Sequence, residues 1–381
     1  MTGRLVGDRF VGGRGAEAAL WATLAVWTAA WAVSMAHPAL VSWHWFVDGA
    51  HALLGGSGLQ TYAAHPDYQI GPLAFLVAGA IDALPGSAVV AAVVMTGLGL
   101  VSLWLVARLV SGPRRRLRVL LAGLVVGWVW PVLSVRWGHL DDTLALTAMV
   151  AALVAARGGR PVVTGLALAA AAAAKPWAVV AFPLVLLLPG RAWWRAAGVM
   201  VAGVLASWGP FVVADSGTLA AFRPPVRVAN TSVMWWLGYR STYLPAWDRL
   251  AQLLGAPLVS LAAVLRGVWP GALVSGLAVR LALDPQDIGY YAAGAVLAAA
   301  VYDLCGHRLV VPWLTLVTAL AWWEPFVADY ARRLELASGV SLWWFQHPAA
   351  VAATHLAWAA IALIATFALV DRRLAARTFG D

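Results

Sequence analysis

The sequence predicts an all-α polytopic membrane protein, and three observations carry that expectation. Of 381 residues, 62% are hydrophobic and only 11% charged, against about 25% charged in soluble domains. Apolar runs at 18–36, 88–110, 119–135, 196–214 and 349–370 each approach the length a helix needs to cross a bilayer, about 20 residues. A membrane barrel would show short alternating strands instead. The formal charge is +9, but the arginines punctuate the ends of the apolar runs, as Arg114-Arg115-Arg116 and Arg372-Arg373 do. That is the pattern of cytoplasmic anchoring. It forms no basic stripe on a soluble domain, so nucleic acid is not an expected partner. Cys305 is the only cysteine, which rules out an internal disulfide.

Taken in order, the first 15 residues are polar and basic without a cleavage site, so helix 18–36 is retained as an anchor. With Arg4, Arg9 and Arg14 inside, that helix delivers 37–71 to the outer face. The run 87–110 returns to Arg108 and the Arg114–Arg118 cluster. The intervening 72–84, only 13 residues, therefore reads as a re-entrant or interfacial helix. Helices at 119–135, 141–156, 162–174, 177–189 and 196–214 alternate, with Arg157, Arg160, Arg191 and Arg195 inside. A polar loop, 215–249, follows outside. Runs near 250–265, 269–283, 287–304, 309–323 and 347–370 lead back to Arg372 and Arg373. The total is about twelve crossings with both termini cytoplasmic. Residues 1–381 form one domain, with outer loops 37–71, 215–249 and 324–346 on one face. Acidic residues gather on that face, partly as the complement of the positive-inside bias.

The helices flanking Lys175-Pro176 are short: about 13 residues span roughly 20 Å, less than the roughly 30 Å hydrocarbon core. Proline disfavours helical geometry at the residue before it, so the chain turns at Lys175. An ammonium held at that depth marks a functional site or snorkels to headgroups. Arg136-Trp137-Gly138-His139-Leu140-Asp141-Asp142 offers a guanidinium, an imidazole and two carboxylates that suit a phosphate, a sugar or a metal. His-x-Asp-Asp is a weak metal signal, and Asp142 equally suits a helix cap. Asp48 and Asp67, the latter beside Tyr68, are either functional or ordinary loop acids. Arg223 and Arg227 in the large outer loop suit phosphate or lipid headgroups.

The order and spacing of several segments carry more than any one motif. Phe46-Val47-Asp48 is followed by Leu54-Gly55-Gly56, Thr61-Tyr62 and Tyr68-Gln69-Ile70-Gly71-Pro72-Leu73. Then come Trp137-Gly138-His139-Leu140-Asp141-Asp142, Arg157-Gly158-Gly159-Arg160, Ala174-Lys175-Pro176-Trp177 and Arg191-Ala192-Trp193-Trp194-Arg195. Through much of the first 240 residues this series resembles the GT-C class of membrane glycosyltransferases. Within it the closest likeness is to glycosyltransferase family 87, the polyprenyl-phosphate-mannose-dependent mannosyltransferases of actinobacteria. The chain departs from that pattern at Gly138-His139, where members often carry Gly-Gln, and at Gly71-Pro72, where they carry a double proline.

The resemblance implies a GT-C fold in the plasma membrane. It implies inverting transfer of a sugar, mannose favoured, from a polyprenyl-phosphate donor to a hydroxyl of a cell-envelope glycolipid or polysaccharide on the outer face. One carboxylate suffices there as general base, and the departing phosphate needs cations more than an acid. Asp48 is the expected base, with Asp67 the first replacement. Lys175, Arg223 and Arg136 are expected on the phosphate, with Arg227 nearby. His139, Asp141, Asp142 and Tyr68 are expected to orient sugar or acceptor. No cofactor beyond the lipid-linked donor is expected; a metal site is not assigned, and a divalent ion is left open. The alternatives are a transporter or flippase of a lipid-linked sugar and a non-catalytic envelope-assembly protein.

Overall fold

Inside a bilayer each segment must satisfy its own backbone polar groups. The computed structural model describes residues 5–37, 39–112, 114–222, 226–240, 245–322 and 339–372, and among these every regular element is helical. Among the described residues six helices are long and apolar enough to cross a membrane: Gly15–Ser34, Ser87–Ala107, Arg115–Trp137, Ala192–Ala214, Trp247–Leu265 and Pro348–Leu369. Further expected crossings appear as shorter apolar helices, including Pro161–Ala174, Pro176–Leu187, Tyr291–Gly306 and Trp313–Trp322. The segment expected to be re-entrant or interfacial is an 11-residue helix, Pro72–Asp82. The expected cytoplasmic ends, residues 1–4 and 373–381, lie outside the described residues.

The principal elements are α1 (Leu5–Ser34), α2 (Trp43–His51), α3 (Pro72–Asp82), α4 (Ser87–Ala107), α5 (Arg115–Pro131), α6 (Leu140–Arg157) and α7 (Pro161–Ala174). They continue with α8 (Pro176–Leu187), α9 (Ala192–Ala214), α10 (Ala246–Leu265), α11 (Ala272–Ala282), α12 (Tyr291–Gly306), α13 (Trp313–Trp322) and α14 (Pro348–Ile364). Helix α7 packs along α6 and α9, α10 along α8 and α11, and α12 against α5 and α11. Leu250, Leu254, Leu258 and Leu265 stay exposed along α10. That helical spacing forms an apolar stripe suited to lipid. Helix α8 is wound tighter than an α-helix; at about 2.0 Å per residue its 12 residues reach roughly 24 Å.

A main core of alanine, valine and leucine fills the bundle. A smaller cluster built on Phe46, Tyr62, Tyr68, Ile70, Phe75 and Phe211 supports the segment between α1 and α3. The Tyr62 hydroxyl donates to the Ile70 carbonyl at 2.8 Å, and burial pushes that phenol well up. Gly71 lets this segment dock on the end of α7: its amide donates to the Ala174 carbonyl at 2.9 Å, and a Cβ there would collide with the carbonyl of Ala173. The candidate site is thereby tied to the residue before Lys175.

At the other end of α12, buried Arg118 closes the helix. Its Nη2 donates to the carbonyls of Asp303, Leu304 and His307 at 2.8, 2.8 and 2.6 Å, and its Nε donates to Leu309 O at 3.1 Å. Those of Asp303 and Leu304 are among the carbonyls a helix end leaves without intrahelical partners, and those of His307 and Leu309 belong to the chain just beyond it. Arg118→Met is expected to destabilise the protein by about 3 kcal/mol, read as a lower midpoint of thermal unfolding in detergent; an unchanged midpoint would contradict this role.

Candidate active site

Helix α5 unwinds into a wider turn over Val132–Trp137, and Gly138 follows with φ 68°, a left-handed conformation that favours glycine. The reversal starts α6 at Leu140 and puts Asp141 and Asp142 in its first turn, where the helix dipole favours carboxylates. Asp142 is not the helix cap: His139 holds that position without a side-chain cap bond, and Asp141 Oδ1 accepts from the Asp142 amide at 2.8 Å. Residues 40–42 lie against this turn, with the amides of Leu40, Val41 and Ser42 donating to the carbonyls of Val135, Arg136 and Trp137.

Pro176 ends α7 as the sequence anticipates. Lys175 is extended, with φ −150° and ψ 122°. Its ammonium forms an ion pair with Asp141 and lies 3.9 Å from Asp142 Oδ2. Trp177 Nε1 donates to Asp142 Oδ1 at 2.8 Å. His139 Nδ1 lies 3.5 Å from Asp141 and 3.4 Å from Asp142, its Nε2 is 3.1 Å from Ser42 Oγ, and Tyr290 stacks on the ring at 3.8 Å.

Burial alone would lower the pKa of Lys175, but Asp141 and Asp142 outweigh it and hold the ammonium above the ordinary lysine value. His139 follows the same rule: burial pulls down, the two carboxylates pull up, and the net shift is upward. The Lys175 ammonium and the His139 ring thus both lie against the two carboxylates. The raised imidazole pKa contributes stability that is present below the unfolded value, about 6.5, and is lost as pH rises through the folded one. Thermal stability is therefore expected to fall across that window, with the slope absent in His139→Gln. A slope unchanged in that variant would remove His139 from the charge balance.

In front of the cluster opens a cavity of about 420 Å³. Trp45, Tyr68, Trp137, Trp177, Tyr290 and Tyr291 supply aromatic walls; Asp67, Gln69, His139, Lys175, Arg249, Gln252, Arg280 and Asp284 supply polar ones. Arg280 pairs with Asp284 at 3.1 Å, and its guanidinium lies 4.9 Å from the ring centroids of both Trp177 and Tyr291.

His139, Asp141 and Asp142 each offer one ligand atom, all within 4.8 Å of one another. Three such ligands suit a divalent cation. The Lys175 ammonium already sits on Asp141, so a metal ion would have to displace it.

The site residues expected from the sequence separate into groups. Asp67, Tyr68, His139 and Lys175 line the cavity, while Asp141 and Asp142 are buried behind Lys175. Asp48, the expected base, is exposed on α2, one helical turn beyond the wall residue Trp45, and does not line the cavity. Its charge still reaches the site: burial first, then Asp48 and Asp67, raise the Tyr68 phenol. Three phosphate assignments change. Lys175 is neutralised by carboxylates rather than free for an anion. Arg136 is buried and donates from Nε to the Met35 carbonyl at 3.3 Å, holding the end of α1 outside the cavity lining. Arg227 is exposed and lies off the lining. Arg223 and much of loop 324–346 lie outside the described residues.

Sequence reasoning missed Arg249, Gln252, Arg280, Asp284, Tyr290 and Tyr291. The available signal was Arg280 and Asp284, four residues apart at the end of an apolar run, where charge marks function. No protein-family model matches the chain, and no curated protein matches it significantly.

Proposed function

We propose that this membrane protein is an inverting GT-C-type glycosyltransferase that moves a sugar, mannose favoured, from a polyprenyl-phosphate donor to a hydroxyl of an envelope glycolipid or polysaccharide. The observation that carries this reading is the cavity beside the Lys175 break, walled by aromatic rings and bearing carboxylates, amides and guanidinium groups. Aromatic faces with a few placed polar groups suit a pyranose ring, whose faces carry C–H bonds and whose rim carries hydroxyls.

Asp48 is the base in this proposal. Its exposure beside Trp45 and Tyr68 suits a group that meets an acceptor arriving from outside the bundle. It takes the acceptor's hydroxyl proton as that oxygen bonds to the anomeric carbon. The bond from that carbon to the phosphate oxygen breaks, and its electron pair leaves with the phosphate. Asp67 and Tyr68 orient the sugar from the wall, and the cluster of His139, Asp141, Asp142 and Lys175 fixes the floor beneath it.

The test is reconstitution in liposomes with radiolabelled polyprenyl-phosphate mannose and an envelope glycolipid extract. Label appearing in a new glycolipid supports transfer. Donor movement between leaflets with no new glycosidic bond would instead establish the transporter.

A further inference from the structure

Departure of a lipid phosphate needs a cation whose charge is not already cancelled. Among the described residues, lysine or arginine faces the cavity at three positions: Lys175, Arg249 and Arg280. Lys175 is held by Asp141 and Asp142, and Arg280 by Asp284. Arg249 is held differently. Its Nη1 donates to Gln252 Oε1 at 3.2 Å and its Nη2 to Gln69 Oε1 at 3.0 Å. Both partners are neutral amides, and no carboxylate among the described residues forms an ion pair with it. Its chain neighbour Asp248 is buried and accepts from Gln252 Nε2 at 2.8 Å.

Neutral amide partners fix the plane of a guanidinium while leaving its charge intact. Two of the five N–H donors are used, and the rest form a fork that matches phosphate oxygens. Gln69 comes from the segment before α3, and Arg249 and Gln252 from α10. The guanidinium therefore spans the cavity wall between the first loop and the long helix whose outer stripe suits lipid.

We propose that Arg249, oriented by Gln69 and Gln252, is the phosphate-binding residue of the cavity, receiving the lipid-linked phosphate of the donor and retaining the polyprenyl phosphate left after transfer. This rests on the donor class proposed above.

The test is ligand binding to purified protein in detergent, followed by native mass spectrometry, with polyprenyl phosphate, polyprenol and inorganic phosphate as separate probes. Wild type is expected to bind polyprenyl phosphate well above polyprenol. Arg249→Gln is expected to lose about 10- to 100-fold in affinity for the phosphate lipid while polyprenol binding is unchanged. Arg249→Lys, which keeps the charge but not the fork, should fall between. A purely structural tether would lower unfolding temperature without this phosphate-selective loss. Equal binding of polyprenyl phosphate by Arg249→Gln and wild type would overturn the assignment and leave the donor class standing. Wild type that does not distinguish polyprenyl phosphate from polyprenol would overturn the donor class itself. Inorganic phosphate competing as strongly as the lipid would overturn the lipid source.

Discussion

Asp48→Asn is expected to lower the turnover of sugar transfer by about 10²- to 10⁴-fold, the range for removal of a general base. The substitution keeps shape and removes only the proposed proton acceptor. Since Asp48 is exposed, stability should change by no more than about 0.5 kcal/mol. Donor binding should persist, so the loss belongs in kcat rather than in affinity. Asp67→Asn, in the cavity wall beside Tyr68, is expected to weaken sugar binding with a smaller effect on turnover. Rates measured for both variants in the same liposomes discriminate the two carboxylates. Near-normal transfer by Asp48→Asn together with abolished transfer by Asp67→Asn would move the base to Asp67.

The largest expected loss of stability comes from Lys175→Met. The ammonium is buried against Asp141, which is itself fully buried. Removing it leaves adjacent carboxylates in a site of low polarity, a change that costs about 3–5 kcal/mol when one partner of a buried pair is deleted. Removing both charges avoids that penalty, so Lys175→Met with Asp141→Asn should recover part of the loss. A double-mutant cycle by thermal unfolding in detergent measures the coupling. Additive effects of the two substitutions would show that the pair carries no stability of its own. Because the cluster supports the cavity floor, Lys175→Met should also impair transfer, through loss of geometry rather than loss of a phosphate contact.

The helices were legible because hydrophobic length is a local property. The expected spans 162–174 and 196–214 correspond to Pro161–Ala174 and Ala192–Ala214. The break at Lys175 was equally legible, since Pro176 acts on its immediate neighbour. Pairings across the bundle were not. Lys175 and Asp141 are 34 positions apart, and nothing in either local segment says that the ammonium turns inward to the carboxylate rather than outward to phosphate. Arg136 misled for the same reason: beside His139 it looks like part of the site, yet its guanidinium turns to Met35, just past the end of α1. Arg249 was obscured by its position at the edge of an apolar helix, where an arginine ordinarily reads as an interface anchor. Its partner Gln69 is 180 positions away, a relation set by the packing of the first loop against α10.

The most direct measurement is a structure of the protein with a polyprenyl-phosphate sugar bound in a lipid nanodisc. The sugar should lie in the aromatic cavity with its anomeric carbon turned toward Asp48, the phosphate on Arg249, and the prenyl chain running out along the bundle surface. A sugar bound outside that cavity, or one whose anomeric carbon faces neither Asp48 nor Asp67, would contradict the proposed transferase.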